Sequence, residues 1–170
     1  MNPSIELRIR TMQRAITEVI LPAVDPNNSL AQEQTRLLLG HLQALALQQA
    51  YSASVQALAR HDAEELAGAL QHAVAGGPAT RKAAEQLRHA VAQPESALGH
   101  ALEQFLLASA DDGAAAFIDA SHKLVLTYSR EQALRGRAWF KAMGFDSVPA
   151  SLPEIPQLLD KWTESNATLS

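Results

Sequence analysis

Long stretches of this sequence run without a helix breaker, separated by a few short clusters of turn residues. From Ser29 to about Arg60 there is no proline and a single glycine, Gly40. As an α-helix at 1.5 Å per residue, such a stretch covers ~45 Å, far more than one strand of a compact sheet. Composition points the same way. Of 170 residues, 32 are Ala and 24 are Leu, against 7 Val, 6 Ile and 8 aromatic residues. Ala and Leu lose little on entering a helix, whereas β-branched and aromatic side chains fill strands. This argues against sandwiches, barrels and parallel-sheet nucleotide folds. The expected fold is all-α: a single-domain, mostly antiparallel helical bundle of six to eight helices over residues 1–164, with a frayed tail at 165–170.

The first helix is expected from Ser4 to Leu21. Ile5, Ile9, Met12, Ile16 and Val19 recur at 4, 3, 4, 3, the seam of a bundle helix, and Pro22 is expected to stop it. Ser29 with Gln32 reads as a capping box opening the second helix. Its apolar stripe is Leu30, Leu37, Leu38, Leu42, Leu45, Val55 and Leu58. Asp62 with Glu65 reads as another box, so a third helix is expected to begin or kink there and to run to Ala75. Gly76-Gly77-Pro78 is the strongest break in the chain. Thr80 is the expected cap of a fourth helix ending near Gln93-Pro94. A fifth spans about Ser96 to Ser109. Asp111-Asp112-Gly113 reads as a turn, after which Phe117, Ile118, Leu124 and Val125 face inward. Ser129 with Gln132 marks either a seventh helix or a continuation to Met143, with Gly144 at the C′ position. Phe145–Ser151 is a loop, and a short last helix spans roughly Pro153 to Trp162.

Several function classes lack their chemistry. With no cysteine, a disulfide scaffold, a thiolate zinc site and a Cys nucleophile are excluded. There is no Gly-x-Ser-x-Gly and no phosphate loop. Ser121 and His122 are adjacent, which points them about 100° apart on a helix. A net charge of −4 gives no footprint for nucleic acid. Glu6, Arg8 and Arg10 interrupt any signal-peptide core, and no stretch of about 18 uncharged apolar residues exists. A cytoplasmic protein without membrane or nucleic-acid partners is expected. Asn166-Ala167-Thr168 matches a glycosylation sequon that such a location leaves unused.

Six histidines are the first candidates for chemistry. His100 with Glu103, and Asp119 with His122, stand at i,i+3, the spacing that puts two ligands on one helix face. Di-iron bundles use Glu-x-x-His twice. Here His100-x-x-Glu103 is reversed and Asp119-x-x-His122 carries the shorter acid, so surface pairs are the expected outcome, with a metal-binding four-helix-type enzyme as an alternative. His41 lies on or beside the apolar face of the second helix, followed by Gln48 and Gln49. Polar groups buried there need internal partners, since each unpaired one costs ~1–3 kcal/mol.

Charge is distributed in blocks. Residues 85–119 hold Glu85, Glu95, Glu103, Asp111, Asp112 and Asp119 against Arg88 alone. Residues 123–141 hold Lys123, Arg130, Arg135, Arg137 and Lys141 against Glu131. Arg130, Arg137 and Lys141 recur at i, i+7, i+11, with Trp139 beside them. With His41 they are the candidate residues for a small anionic, CoA-like ligand. The plainer expectation is that the two charge blocks pair with each other as the helices fold back. The run Ala114-Ala115-Ala116 with Ala120 is expected to let helices approach closely.

Leu7-Arg8-Ile9-Arg10-Thr11-Met12, Glu18-Val19-Ile20-Leu21-Pro22-Ala23-Val24-Asp25, Leu30-Ala31-Gln32-Glu33-Gln34 and Gly40-His41-Leu42 are similar to the start of small uncharacterised bacterial helical proteins. Those proteins are encoded beside acyl-CoA dehydrogenases and aminoglycoside-phosphotransferase-like proteins. The resemblance covers about a quarter of the chain. It implies a bacterial protein accessory to acyl-CoA metabolism and supplies no catalytic residue and no cofactor. The reading that follows is a non-catalytic module that forms a homo-oligomer or binds a protein partner.

Overall fold

The computed structural model describes residues 2–160. The expected end of the last helix at Trp162 and the 165–170 tail lie outside the described residues. The protein is all-α, and its described residues form the α-helical segments α1 Ile5–Ala15, α2 Leu21–Ala23, α3 Ser29–Gln48, α4 Ser52–Ala73, α5 Pro78–Ala90, α6 Glu95–Asp112 and α7 Ala115–Trp139. Residues 155–160 are also helical. No described helix is long and apolar enough to cross a membrane. The chain divides into two compact units, a terminal one of Met1–Val55 with Leu134–Ser170 and a central one of Gln56–Ala133. Both boundaries fall inside helices, α4 and α7, so no linker sequence marks them.

In the terminal unit, Ser4 caps α1 by accepting from the Leu7 amide at 3.2 Å. Pro22 does not end this helical run. The backbone widens into a π turn over Ile16–Ile20 and continues through α2 to Ala23. A proline lacks the N–H that a regular turn requires and crowds the carbonyl four residues back, and the wider turn just upstream accommodates both defects. Of the expected seam, Ile9 and Ile16 are buried with Leu42 of α3, while Ile5, Met12 and Val19 are exposed. Helix α3 is capped by Asn28, whose side chain accepts from the Ala31 amide at 3.1 Å, so Ser29 is not the cap. Gln32 instead donates to the Val24 carbonyl at 2.9 Å. The helix also stops earlier than Arg60, at Gln48, where no glycine or proline stands.

The central unit holds the larger core. Ala63, Leu66, Ala67 and Leu70 of α4 meet Ala83, Ala84 and Leu87 of α5, Leu98, Leu102 and Phe105 of α6, and Phe117 of α7. Leu70, Leu87, Leu98 and Phe105 are wholly excluded from solvent. Phe105 and Phe117 meet edge to face with ring centroids 5.9 Å apart, the geometry aromatic quadrupoles favour. The alanines buried in this core are thus those of α4 and α5. Ala114, Ala115, Ala116 and Ala120 are exposed, contrary to expectation. Neither Asp62 nor Ser129 starts a helix, since α4 and α7 run straight through them. Residues of the two presumed capping boxes bond each other instead: Gln132 Nε2 donates to Asp62 Oδ2 at 3.2 Å.

Candidate functional site

The terminal unit contains an apolar groove of about 550 Å³, within the size range of small-ligand sites. Leu47 and Tyr51 line it from the end of α3 and the turn after it. Trp139 comes from the end of α7, and Pro149, Ile155 and Pro156 from the chain beyond. One long-range hydrogen bond sets this meeting. Gln48, 8% exposed, donates its Nε2 to the Trp139 carbonyl at 2.7 Å. That bond supplies the internal partner that a buried amide on this face requires. At the rim, Lys141 donates to the Leu152 carbonyl at 3.2 Å and pairs with the Glu154 carboxylate. The groove's charged residues therefore neutralise one another and leave an apolar floor.

Gly144 lets the chain turn after α7, with φ of +75°, a backbone state that L side chains rarely adopt. The following segment is tied down by Asp146. Its carboxylate accepts from Arg137 Nε and a terminal guanidinium nitrogen at 2.7 and 3.0 Å, and from the Val148 amide at 2.9 Å. The Arg137 hydrogen bonds, first, and the Val148 amide lower the Asp146 carboxyl to about 2, against the opposing effect of burial. The same contact raises the Arg137 guanidinium.

Of the residues expected to bind an anion, Trp139 and Lys141 line this groove. Arg137 is engaged by Asp146. Arg130 is exposed on α7 and forms no ion pair among the described residues. His41 is exposed on α3, outside the groove lining. Pairing between the two charge blocks is not what Arg137 and Lys141 do. They take carboxylates from the segment that follows, Asp146 and Glu154. Glu85 pairs with Arg88 and His89, and Glu103 with His100, within their own helices.

The residues considered for a metal are dispersed. His100 and Glu103 stand 3.9 Å apart on the exposed side of α6, with side chains 71% and 68% exposed. Asp119 and His122 are exposed on α7. Among the described residues, no group of three or more His, Asp or Glu side chains is placed to hold an ion. Ser121 is buried and donates to the Ile118 carbonyl, while His122 faces solvent, so the two side chains do point apart.

Two polar devices of the central unit were not legible in the sequence. Asp112, expected in a turn, ends α6 and caps α5 from outside. Its carboxylate accepts from the Ala79 and Thr80 amides at 2.8 and 2.9 Å and from the buried Thr80 hydroxyl at 2.5 Å. Gly77 is the N-cap position, and Thr80 is not the cap but the hydrogen-bond partner of Asp112. The Thr80 hydroxyl is the largest cause holding the Asp112 carboxyl below its ordinary value, helped by the two amides and opposed by burial. At the other end of α5, Arg60 of α4 donates to the Gln93 carbonyl at 2.6 Å and to that of Val91. An anion at the helix start and a cation at its end both suit the helix dipole. Comparison with known proteins finds no family model, no curated protein and no solved structure that matches this chain.

Proposed function

We propose that the protein is a non-catalytic helical module that self-associates or binds a protein partner through its terminal unit. One observation carries this reading. Of the fifteen large apolar residues that are exposed among the described residues, thirteen belong to the terminal unit. The central unit contributes only Leu107 and Leu126. Single exposed apolar residues are ordinary, whereas a concentration of them marks an interaction surface. The resemblance of the N-terminal residues adds a setting, a bacterial cytoplasmic protein accessory to acyl-CoA metabolism. Sedimentation equilibrium and light scattering at micromolar concentration test the reading. A dimer or larger species, or a stable complex with another protein, is expected, and a strict monomer that captures nothing overturns it.

A second reading rests on the Trp139 groove. Its apolar lining suits the acyl part of a CoA-like ligand. A thermal shift with long-chain acyl-CoA, larger than with free CoA and absent in Trp139→Ala, is the expected result. No shift across a panel of acyl chain lengths would rule the groove out as a ligand site.

A further inference from the structure

Helix α3 has one side left uncovered, and the order of residues along it fits a second copy of itself. Leu39, Leu42 and Ala46 pack toward α1. On another side, Gly40 faces Met143, 3.7 Å from where a Cβ would stand. The uncovered side is Leu30, Gln34, Leu38, His41 and Leu45, all exposed, with the three leucines 66%, 52% and 51% accessible. At 100° per residue these five fall within an arc of about 80° and span about 22 Å. Their spacing of 4, 4, 3, 4 is that of a helix–helix seam. The charged residues of α3, Glu33 and Arg36, lie off this arc, so closing it desolvates no ion.

The stripe reads the same in both directions: Leu, polar, Leu, polar, Leu. Reversed about its midpoint, between residues 37 and 38, it sets Leu30 against Leu45, Gln34 against His41, and Leu38 beside its own equivalent. A twofold interface demands such self-complementarity, and an unrelated partner does not. The polar positions also match chemically. A carboxamide and an imidazole can hydrogen-bond each other, so each polar side chain meets a partner rather than a leucine on leaving water. A polar pair within an apolar seam also selects one register. We infer that two copies of the chain pair antiparallel through α3, with Leu38 of both copies flanking the twofold axis and Gln34 of each bonded to His41 of the other. This inference rests on the self-association reading above and specifies its surface.

The test uses charge reversal in the full chain, with circular dichroism confirming that each variant is folded. Leu38→Asp and Leu38→Lys, each alone, are expected to raise the dissociation constant at least ~100-fold, because two leucines leave the contact and like charges meet. An equimolar mixture of the two is expected to re-form dimers. Mixing Leu30→Lys with Leu45→Asp is expected to do the same, whereas Leu45→Lys with Leu45→Asp is not. Leu107→Asp, in the central unit, is expected to leave association unchanged. Because the chain has no cysteine, Leu38→Cys adds a direct reading: mild oxidation is expected to give a disulfide-linked dimer. If the unsubstituted chain associates but Leu38→Asp does not weaken it, or if Leu45→Lys with Leu45→Asp is the pair that recovers, the α3 register is overturned while self-association stands. A chain that stays monomeric overturns both.

Discussion

At the residue scale, a few charged side chains brace the backbone: Asp112 and Arg60 at α5, and Asp146 and Lys141 after α7. Asp112 is an acid placed outside a helix it stabilises, and Thr80 is its buried counterpart. Thr80→Ala and Asp112→Ala are each expected to lower the melting temperature by several degrees. The double variant should melt close to the worse single one, because both remove the same bond. A fully additive pair would show that the contact carries no stability. Asp146 makes a statement about pH. Its carboxyl is lowered from 3.8 to about 2 in the folded protein. A lowered carboxylate contributes stability that is fully present above the unfolded value and is lost as pH falls through the folded one. The Arg137 brace should therefore be intact above about pH 4 and fade between pH 4 and 2. Asp112 acts in the same direction. Acid unfolding followed by circular dichroism should show a shallower loss in that window for Asp146→Asn than for the unsubstituted chain.

At the element scale, what could be read ahead was whatever acts locally. Gly76-Gly77-Pro78 breaks the chain through its own backbone chemistry, and the structure leaves α4 at Ala73 and enters α5 at Pro78. Gly144 takes the left-handed state its position called for. The break between α3 and α4 at residues 49–51 was invisible. Beside it, Gln48 bonds the Trp139 carbonyl, 91 residues away, a contact that no local pattern announces. At Ser129-x-x-Gln132 the continuing helix is the alternative that holds, and Asp62 starts no helix: a capping pattern is also a pair of good hydrogen-bonding residues, and here Asp62 and Gln132 are used between helices. The groove was not legible: Trp139 and Lys141 stood out only as part of a basic stretch, and most of the lining comes from Ala44, Leu47 and Tyr51 and from Pro149–Pro156, segments with no charge pattern to link them. Glycines give a direct check on these elements. Gly99 in α6 and Gly68 in α4 have open space where a Cβ would go. Gly99→Ala and Gly68→Ala should each raise unfolding free energy by ~0.5–1 kcal/mol in chemical denaturation. Gly76→Ala should destabilise, since its Cβ would stand 2.9 Å from the Gly113 Cα.

At the scale of the whole molecule, the two units differ in how much they bury. The central unit closes a four-helix core around Leu70, Leu87, Leu98 and Phe105, and the terminal unit closes a smaller one around Ile9, Ile16 and Leu42. Phe105→Ala should cost ~3–5 kcal/mol, the usual range for emptying a packed aromatic site. Amide hydrogen exchange should show α5 and α6 opening at higher free energy than α1, because local stability follows buried apolar contact. Equal protection of the two would contradict that ranking.

The bracing of α5 also bears on how the central unit can move. Proteins often change shape by sliding one packed helix along another, in the limit by a full turn. A slide of α5 along its axis would pull Thr80 from Asp112 at one end and the Gln93 carbonyl from Arg60 at the other. Beside its start, the Gly77 amide is bonded to the Asp112 carbonyl, and the Ala114 amide to that of Ala75. The helix is therefore tied at both ends, and sliding it along its axis in either direction breaks hydrogen bonds.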